Sequence, residues 1–143
     1  MTQEDKELLL KDLSARLPYG VIVLEDIDKT FDGGCVSELV TITEIKGEKM
    51  FLTKNSLTPV TIEEIRPYLR SMSSMTEEEK RHISKMMCLR TYDDGVVHDM
   101  TYPVYTPYYV MEDCLSYLRS IHVDYSGLIE KGLALAAPEG MYK

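Results

Sequence analysis

Three histidines and three cysteines are the side chains of this sequence best suited to act as bases, nucleophiles or metal ligands. They are His82, His98 and His122, and Cys35, Cys88 and Cys114. None of the CxxC, HxxxH or HExxH spacings that hold a metal ion locally occurs among them. We therefore expect neither a metal ion nor a cofactor, and the pattern identifies no catalytic residue.

The two nearest cysteine–histidine pairs are poorly spaced for a nucleophile and its base, which need hydrogen-bond contact. If one helix carries Cys114 and His122, they share a face but stand about 12 Å apart along its axis. His82 and Cys88 are six residues apart, which places them on different faces of a helix. We interpret both cysteines as small buried apolar residues.

Calcium and phosphate sites also lack a complete motif. Asp26, Asp28 and Asp32 are spaced as in a calcium loop, but its twelfth position is Ser37 rather than glutamate. The sixth position is not glycine either, so we interpret this stretch as a solvated acidic loop. The glycine patterns GxGxxG and GxxxxGK[ST] are absent, which excludes the usual phosphate-binding loops.

Aromatic and basic side chains form two further groups. Tyrosines and prolines are interspersed over residues 102–109, where we favour rings packed on a sheet over a partner surface. Arg66, Tyr68 and Arg70 lie beside a serine-rich link at residues 71–75. This group suits an anion, but we favour the solvated end of a helix.

The first third of the chain predicts a helix followed by strands. Thr2 caps a helix that extends to Leu17, with Asp5 three residues on and an apolar stripe of leucines. Residues 18–20, Pro-Tyr-Gly, end it. Residues 21–24, 35–46 and 50–52 are rich in apolar and β-branched side chains and are separated by turns at 32–34 and 46–48. A three-stranded antiparallel meander is the simplest arrangement.

The remainder of the chain predicts mainly helices. Short and long helices are expected over residues 61–69, 76–89 and 110–121, the first two capped by Thr61 with Glu64 and by Thr76 with Glu79. A second hairpin is expected over residues 89–98 around the turn Asp93-Asp94-Gly95. Residues 127–136 are expected to be helical or turns.

These elements predict an α+β fold with an N-terminal helix, a small antiparallel sheet and C-terminal helices packed on it. We expect one domain over residues 1–143, with helix plus sheet at 1–57 and a mainly helical part at 58–143. The composition, 44% hydrophobic and 28% charged, is ordinary for a folded protein.

Charge and cysteine usage narrow the function classes. The net charge of −8 and the scattered basic residues disfavour direct nucleic-acid binding, which needs clustered lysine and arginine. The same charge opposes binding to anionic membranes, and no apolar run is long enough to span one. The polar, acidic start is unlike a signal peptide, and the odd number of cysteines suits reduced thiols, so we expect a cytoplasmic protein.

Three blocks of the sequence are distinctive as strings: DLSARLPYGV at residues 12–21, PYLRSMSSMTEEE at 67–79 and DYSGLIEKGLALAAPEGMY at 124–142. They resemble a group of short proteins of gut bacteria and their phages to which no activity is assigned. The resemblance implies a bacterial or phage intracellular setting and a shared fold, and it supplies no catalytic residues. Residues 26–55 and 90–109 lie outside it.

The leading hypothesis is a non-enzymatic accessory protein with a protein partner, carried by a phage or another mobile element. Its candidate interaction surface consists of Arg66, Tyr68, Arg70, Tyr105, Tyr125 and Tyr142. Two alternatives remain open. One is a small enzyme whose site is assembled from distant residues, with His98 as the base. The other is an acidic mimic of nucleic acid that binds a DNA-handling protein.

Overall fold

A mixed sheet with helices at both ends of the chain makes up the fold. The computed structural model describes residues 1–27, 36–47, 49–52, 59–92 and 108–142, with backbone alone at 26–27, 36–38, 87–92 and 108–109. Within these residues six strands form one sheet and three α-helices are present. The predicted α+β class is confirmed.

Helix α1, Gln3–Arg16, begins and ends where the sequence predicts. The Thr2 hydroxyl accepts the Asp5 N–H at 3.1 Å, and the Asp5 carboxylate accepts the Thr2 N–H at 3.1 Å. Leu9 and Leu13 are fully buried. Gly20, at φ 71°, ends the 3₁₀ turn that follows the helix, a left-handed conformation that glycine adopts at little cost.

Strands β1 (Ile22–Ile27), β2 (Val36–Lys46) and β3 (Lys49–Leu52) form the predicted antiparallel meander. Val40 and Ile42 face the core, and a register shift between Ile42 and Glu44 leaves Glu44 exposed. The predicted turn at 32–34 lies outside the described residues. The pairing of these strands confirms the meander that their apolar residues predicted.

The helix predicted over residues 61–69 is wrong. The Thr61 N–H does donate to the Glu64 carboxylate at 2.8 Å, but the cap supports only a 3₁₀ turn, Ile62–Glu64. It follows a short strand β4, Val60–Thr61, and leads into strand β5, Ile65–Leu69. Burial alternates along β5, so period two prevails over the capping signal.

The sheet extends into the part predicted to be mainly helical. Its strand order is β4-β3-β2-β1-β5-β6, where β5 pairs antiparallel with β1 and β6 (Leu135–Ala136) pairs parallel with β5. Residues 127–134 form turns and bends before β6. A single domain over residues 1–143 stays a prediction.

Helices α2 (Glu77–Tyr92) and α3 (Tyr108–Ser120) pack against each other, and α3 also contacts α1. Because α2 continues to Tyr92, the predicted strand at residues 89–92 is wrong. The rest of that hairpin, residues 93–98, lies outside the described residues. The prediction of α3 is confirmed.

Two apolar clusters hold these elements together. The larger one joins α1 to the sheet and to the turn after α3 through Leu13, Val23, Leu69 and Leu128. The smaller one contains Met75, Leu118 and Val123. In the part of the chain that the structure describes, no helix has both the length and the apolar character needed to cross a membrane.

Candidate interaction site

The serine-rich link and the C-terminal tail face each other across an open cleft of about 570 Å³. We call it the tail cleft. One side is lined by Ser74 of the link, by Arg70 and Thr76 on either side of it, and by Glu79 of α2. Residues 137–140 and Tyr142 line the other side. Segments more than 50 residues apart in sequence therefore build one concave surface.

Arg70 forms the base of the link. Its backbone N–H donates to the His122 carbonyl at 2.8 Å, and its carbonyl accepts the Asp124 N–H at 2.8 Å. Its guanidinium donates to both Glu79 carboxylate oxygens, at 2.8 and 2.9 Å, and to the Ser74 carbonyl at 3.1 Å. These bonds raise the pKa of Arg70 and lower that of Glu79, so each charge compensates the other.

Thr76 and Glu79 also close the N-terminus of α2. The Thr76 N–H donates to the Glu79 carboxylate at 2.8 Å, and the Glu79 N–H donates to the Thr76 hydroxyl at 3.2 Å. Free N–H groups at a helix N-terminus attract anions. Here the Thr76 and Glu79 N–H groups already donate hydrogen bonds within the capping box.

Tyr142 fixes the tail to the sheet. Its hydroxyl donates to the Tyr68 carbonyl at 2.7 Å and accepts the Ile22 N–H at 3.0 Å. Its ring stacks on the His122 imidazole, with centroids 3.7 Å apart and planes inclined by 14°. Burial raises the pKa of Tyr142 to about 12, so the hydroxyl stays protonated and keeps both bonds at neutral pH.

His122 is a buried, neutral side chain in a constrained backbone position. Its φ of 57° lies in the left-handed region, which is uncommon for residues other than glycine. Burial, followed by the nearby Arg16 charge, lowers its pKa to about 4. Nδ1 is buried and has no hydrogen-bond partner within the described residues.

Asp12 and Arg16 form a buried ion pair beneath this region. Arg16 Nε donates to Asp12 Oδ2 at 2.6 Å and Nη2 donates to Oδ1 at 3.1 Å. Nη2 also donates to the Val123 carbonyl at 2.8 Å, although the two residues are 107 apart in sequence. Arg16 is fully buried, so the pair ties α1 to the segment that carries His122.

Tyr125 takes part in packing rather than in the tail cleft. Its hydroxyl accepts a hydrogen bond from Arg119 Nε at 2.9 Å, and its ring lies 5.1 Å from the Arg16 guanidinium carbon. Cation–π contacts of this kind favour a fixed ring position. Tyr125 lines a separate pocket of about 220 Å³ between α1 and α3.

The six residues predicted as an interaction surface are therefore divided. Arg70 and Tyr142 line the tail cleft, whereas Tyr125 lines the other pocket. Arg66 and Tyr68 occupy the face of β5 opposite to its buried residues, so they belong to a strand and not to the helix end that was expected. Tyr105 lies outside the described residues.

Sequence patterns missed two features of this region. Asp12 and Arg16 show the i, i+4 spacing of a helical ion pair, which was a usable local signal. Glu139 lines the tail cleft, yet nothing near it in sequence indicates that role, because the other side of the cleft comes from residues 70–79.

The described residues hold no group of three histidine, cysteine or carboxylate side chains able to bind a metal ion. His98 and the side chains of Cys35 and Cys88 lie outside the described part, and Cys114 is half-buried in α3. No family model, curated protein or solved structure matches the chain. Its function is therefore inferred from contacts and charges.

Proposed function

We propose that this is a non-enzymatic interaction protein that binds a protein partner in the tail cleft. The observation that supports it most is the joint cleft of the link and the tail. Both belong to the sequence blocks, 67–79 and 124–142, that resemble proteins of gut bacteria and their phages. We further propose that the protein acts inside a bacterial cell and is carried by a phage or another mobile element.

The tail cleft is open to solvent, and its volume of about 570 Å³ exceeds what one side chain occupies, so a partner can insert more than one side chain. Hydrogen bonds fix both sides, through Arg70 to Glu79 and through Tyr142 to Tyr68. A surface that is already ordered loses less conformational entropy when a partner binds.

The chemistry of the cleft favours binding over reaction. A catalytic site needs a base or nucleophile that is poised towards the substrate. In the tail cleft the Arg70 guanidinium, the Glu79 carboxylate and the Tyr142 hydroxyl bond to protein groups instead. They shape the surface and leave its remaining groups to contact a partner.

The hypothesis of a nucleic-acid mimic has weaker support than the proposal of a cleft that binds a protein partner. Such a mimic needs a continuous ridge of uncompensated carboxylates. Here surface acids are interspersed with lysines that pair with them, as in Lys6–Glu63 and Lys80–Glu77, both at 2.7 Å. Interspersed charges of both signs dilute a negative ridge.

Site-specific photo-crosslinking in the native cell tests the proposal. A photoreactive phenylalanine analogue is placed at Ser74 or Pro138, which line the cleft, or at Glu7, which is exposed on α1. We expect the two cleft positions to crosslink the same partner and Glu7 to give no such product. Circular dichroism confirms that each variant is folded.

Equal crosslinking from Glu7, or none from either cleft position, would overturn the assignment of the cleft as the docking surface. A crosslink from Ser74 to one protein and from Pro138 to unrelated proteins would also count against it, because the two residues line opposite sides of one cleft.

A further inference from the structure

We propose that the partner presents a lysine or arginine side chain to the tail cleft, where its cation pairs with the Glu139 carboxylate. This inference rests on the proposed function, since it specifies the chemistry of the segment that the cleft binds. The inference follows from the charged groups that line the cleft, because Arg70 and Glu79 already bond to other groups of the protein and, within the part of the chain that the structure describes, Glu139 does not.

Arg70 is unsuited to hold an anionic partner. Its two terminal nitrogens donate to both oxygens of Glu79 and to the Ser74 carbonyl. Nη1 also lies 3.4 Å from the Ile121 carbonyl oxygen, to which it donates. An incoming carboxylate would have to displace Glu79 and leave that partly buried carboxylate without its cation, which costs free energy.

The N-terminus of α2 is equally closed to anions. Thr76 and Glu79 satisfy each other's backbone N–H groups, and Glu77, Glu78 and Glu79 place three carboxylates in the first turn. These carboxylates already interact favourably with the helix dipole. An anionic partner would be repelled at this side of the cleft.

Glu139 differs from the other charged groups of the cleft. It is exposed, and among the described residues no hydrogen bond or ion pair involves it. Ala137 and Pro138 lie next to it and present apolar surface. A lysine or arginine side chain fits this arrangement because its aliphatic stem packs on apolar surface while its cation reaches a carboxylate.

The charge of the whole chain acts in the same direction. With 24 acidic and 16 basic residues, the protein attracts a basic segment over distances longer than a direct contact. The cleft volume of about 570 Å³ also exceeds what one side chain occupies, so it leaves room for neighbouring residues of a peptide. We therefore infer a peptide segment rather than a free cation.

The test starts from the chain with the photoreactive residue at Ser74. The crosslinked partner peptide is mapped by mass spectrometry after cleavage at acidic residues, which leaves lysine and arginine uncut within the peptide. We expect a lysine or arginine within the mapped peptide, because Glu139 lies across the cleft from Ser74. Glu139→Gln should lower the crosslink yield roughly two- to fivefold, as expected for a partly exposed ion pair.

A charge exchange then examines the pair directly. A synthetic peptide of the mapped sequence is titrated by fluorescence anisotropy against the native chain and against the Glu139→Lys variant. The matched control is Glu130→Gln, which changes an exposed glutamate outside the cleft. We expect Glu139→Lys to weaken binding roughly tenfold or more. A peptide whose basic residue is replaced by glutamate should regain affinity for Glu139→Lys, and Glu130→Gln should bind as the native chain does.

The failures of the two proposals are distinguishable. A cleft-specific crosslink whose yield is unchanged in Glu139→Gln and Glu139→Lys, or a mapped peptide without a basic residue, would overturn the basic-segment inference and leave the docking surface standing. The absence of any cleft-specific crosslink would overturn both. A peptide that binds the native chain and the Glu139→Lys variant with equal affinity would also refute the pairing with Glu139.

Discussion

The Tyr142 ring lies on the His122 imidazole, with centroids 3.7 Å apart, and its hydroxyl bridges the Tyr68 carbonyl and the Ile22 N–H. One side chain thus connects the tail to β5, β1 and the segment after α3. Since Tyr142 also lines the tail cleft, the shape of the cleft depends on this anchor. Weakening the anchor should therefore affect stability and binding together.

Replacing Tyr142 with phenylalanine tests the hydroxyl alone, because the ring and its stacking on His122 are kept. We expect a loss of about 1–3 kcal/mol in the free energy of unfolding, since two backbone groups lose a partner in a partly buried place. Urea denaturation followed by circular dichroism measures it.

The matched control is Tyr19→Phe, because Tyr19 is 39% exposed. We expect a change within about 0.5 kcal/mol, as is usual for surface positions. Equal losses for Tyr142→Phe and Tyr19→Phe would show that the Tyr142 hydroxyl is not an anchor.

Acid should destabilise the protein through His122. Its pKa is about 4 in the folded chain, below the ordinary value of 6.5, so the unfolded chain binds the proton more readily. Stability is therefore highest above pH 6.5 and falls as the pH is lowered from 6.5 towards 4. The expected loss is about 3 kcal/mol, at 1.36 kcal/mol for each pKa unit.

Unfolding free energies measured between pH 4 and 7 test this dependence. His122→Asn serves as the control, because asparagine tolerates the left-handed backbone and does not titrate. The slope in this pH range should be strongly reduced in His122→Asn. The same slope in both chains would assign the acid sensitivity to other groups.

The buried Asp12–Arg16 pair should be sensitive to the loss of one partner. Asp12→Asn leaves the Arg16 cation uncompensated where its side chain is fully buried, and we expect a loss of roughly 3–5 kcal/mol. The double variant Asp12→Leu with Arg16→Met removes both charges and should recover most of that loss. Urea denaturation measures all three chains.

Glu63→Gln provides the control for this pair, because Glu63 forms an ion pair with Lys6 at 2.7 Å on the surface. We expect no measurable change in stability, since exposed pairs are screened by solvent. An Asp12→Asn variant as stable as Glu63→Gln would refute a structural role of the buried pair.

Local signals made most of α1, the meander and α3 predictable from sequence. The capping box of Thr2 with Asp5 and the alternating burial of Val40 and Ile42 depend on residues close in the chain. Such signals failed at β5, where Thr61 and Glu64 form a genuine cap that supports a single 3₁₀ turn. The alternation of Ile65, Pro67 and Leu69 was the better indicator.

The tail cleft was less predictable, for a physical reason. Arg70 and Tyr142 were selected for their chemistry, but what brings them to one cleft is a set of contacts across the sheet, including the parallel pairing of β5 with β6. A parallel pairing between residues 68 and 135 has no local sequence signature. The types of the side chains therefore indicated the candidate residues. Only the fold shows that Arg70 and Tyr142 line the tail cleft and that Arg66, Tyr68 and Tyr125 do not.

Hydrogen–deuterium exchange of the full chain, alone and with the crosslink-identified partner, tests most directly that the tail cleft is the docking surface. We expect slower exchange of backbone amides in residues 70–79 and 137–142 together, and unchanged exchange in α1. Protection confined to α1 or to the backbone of β5, with the two cleft segments unaffected, would contradict it.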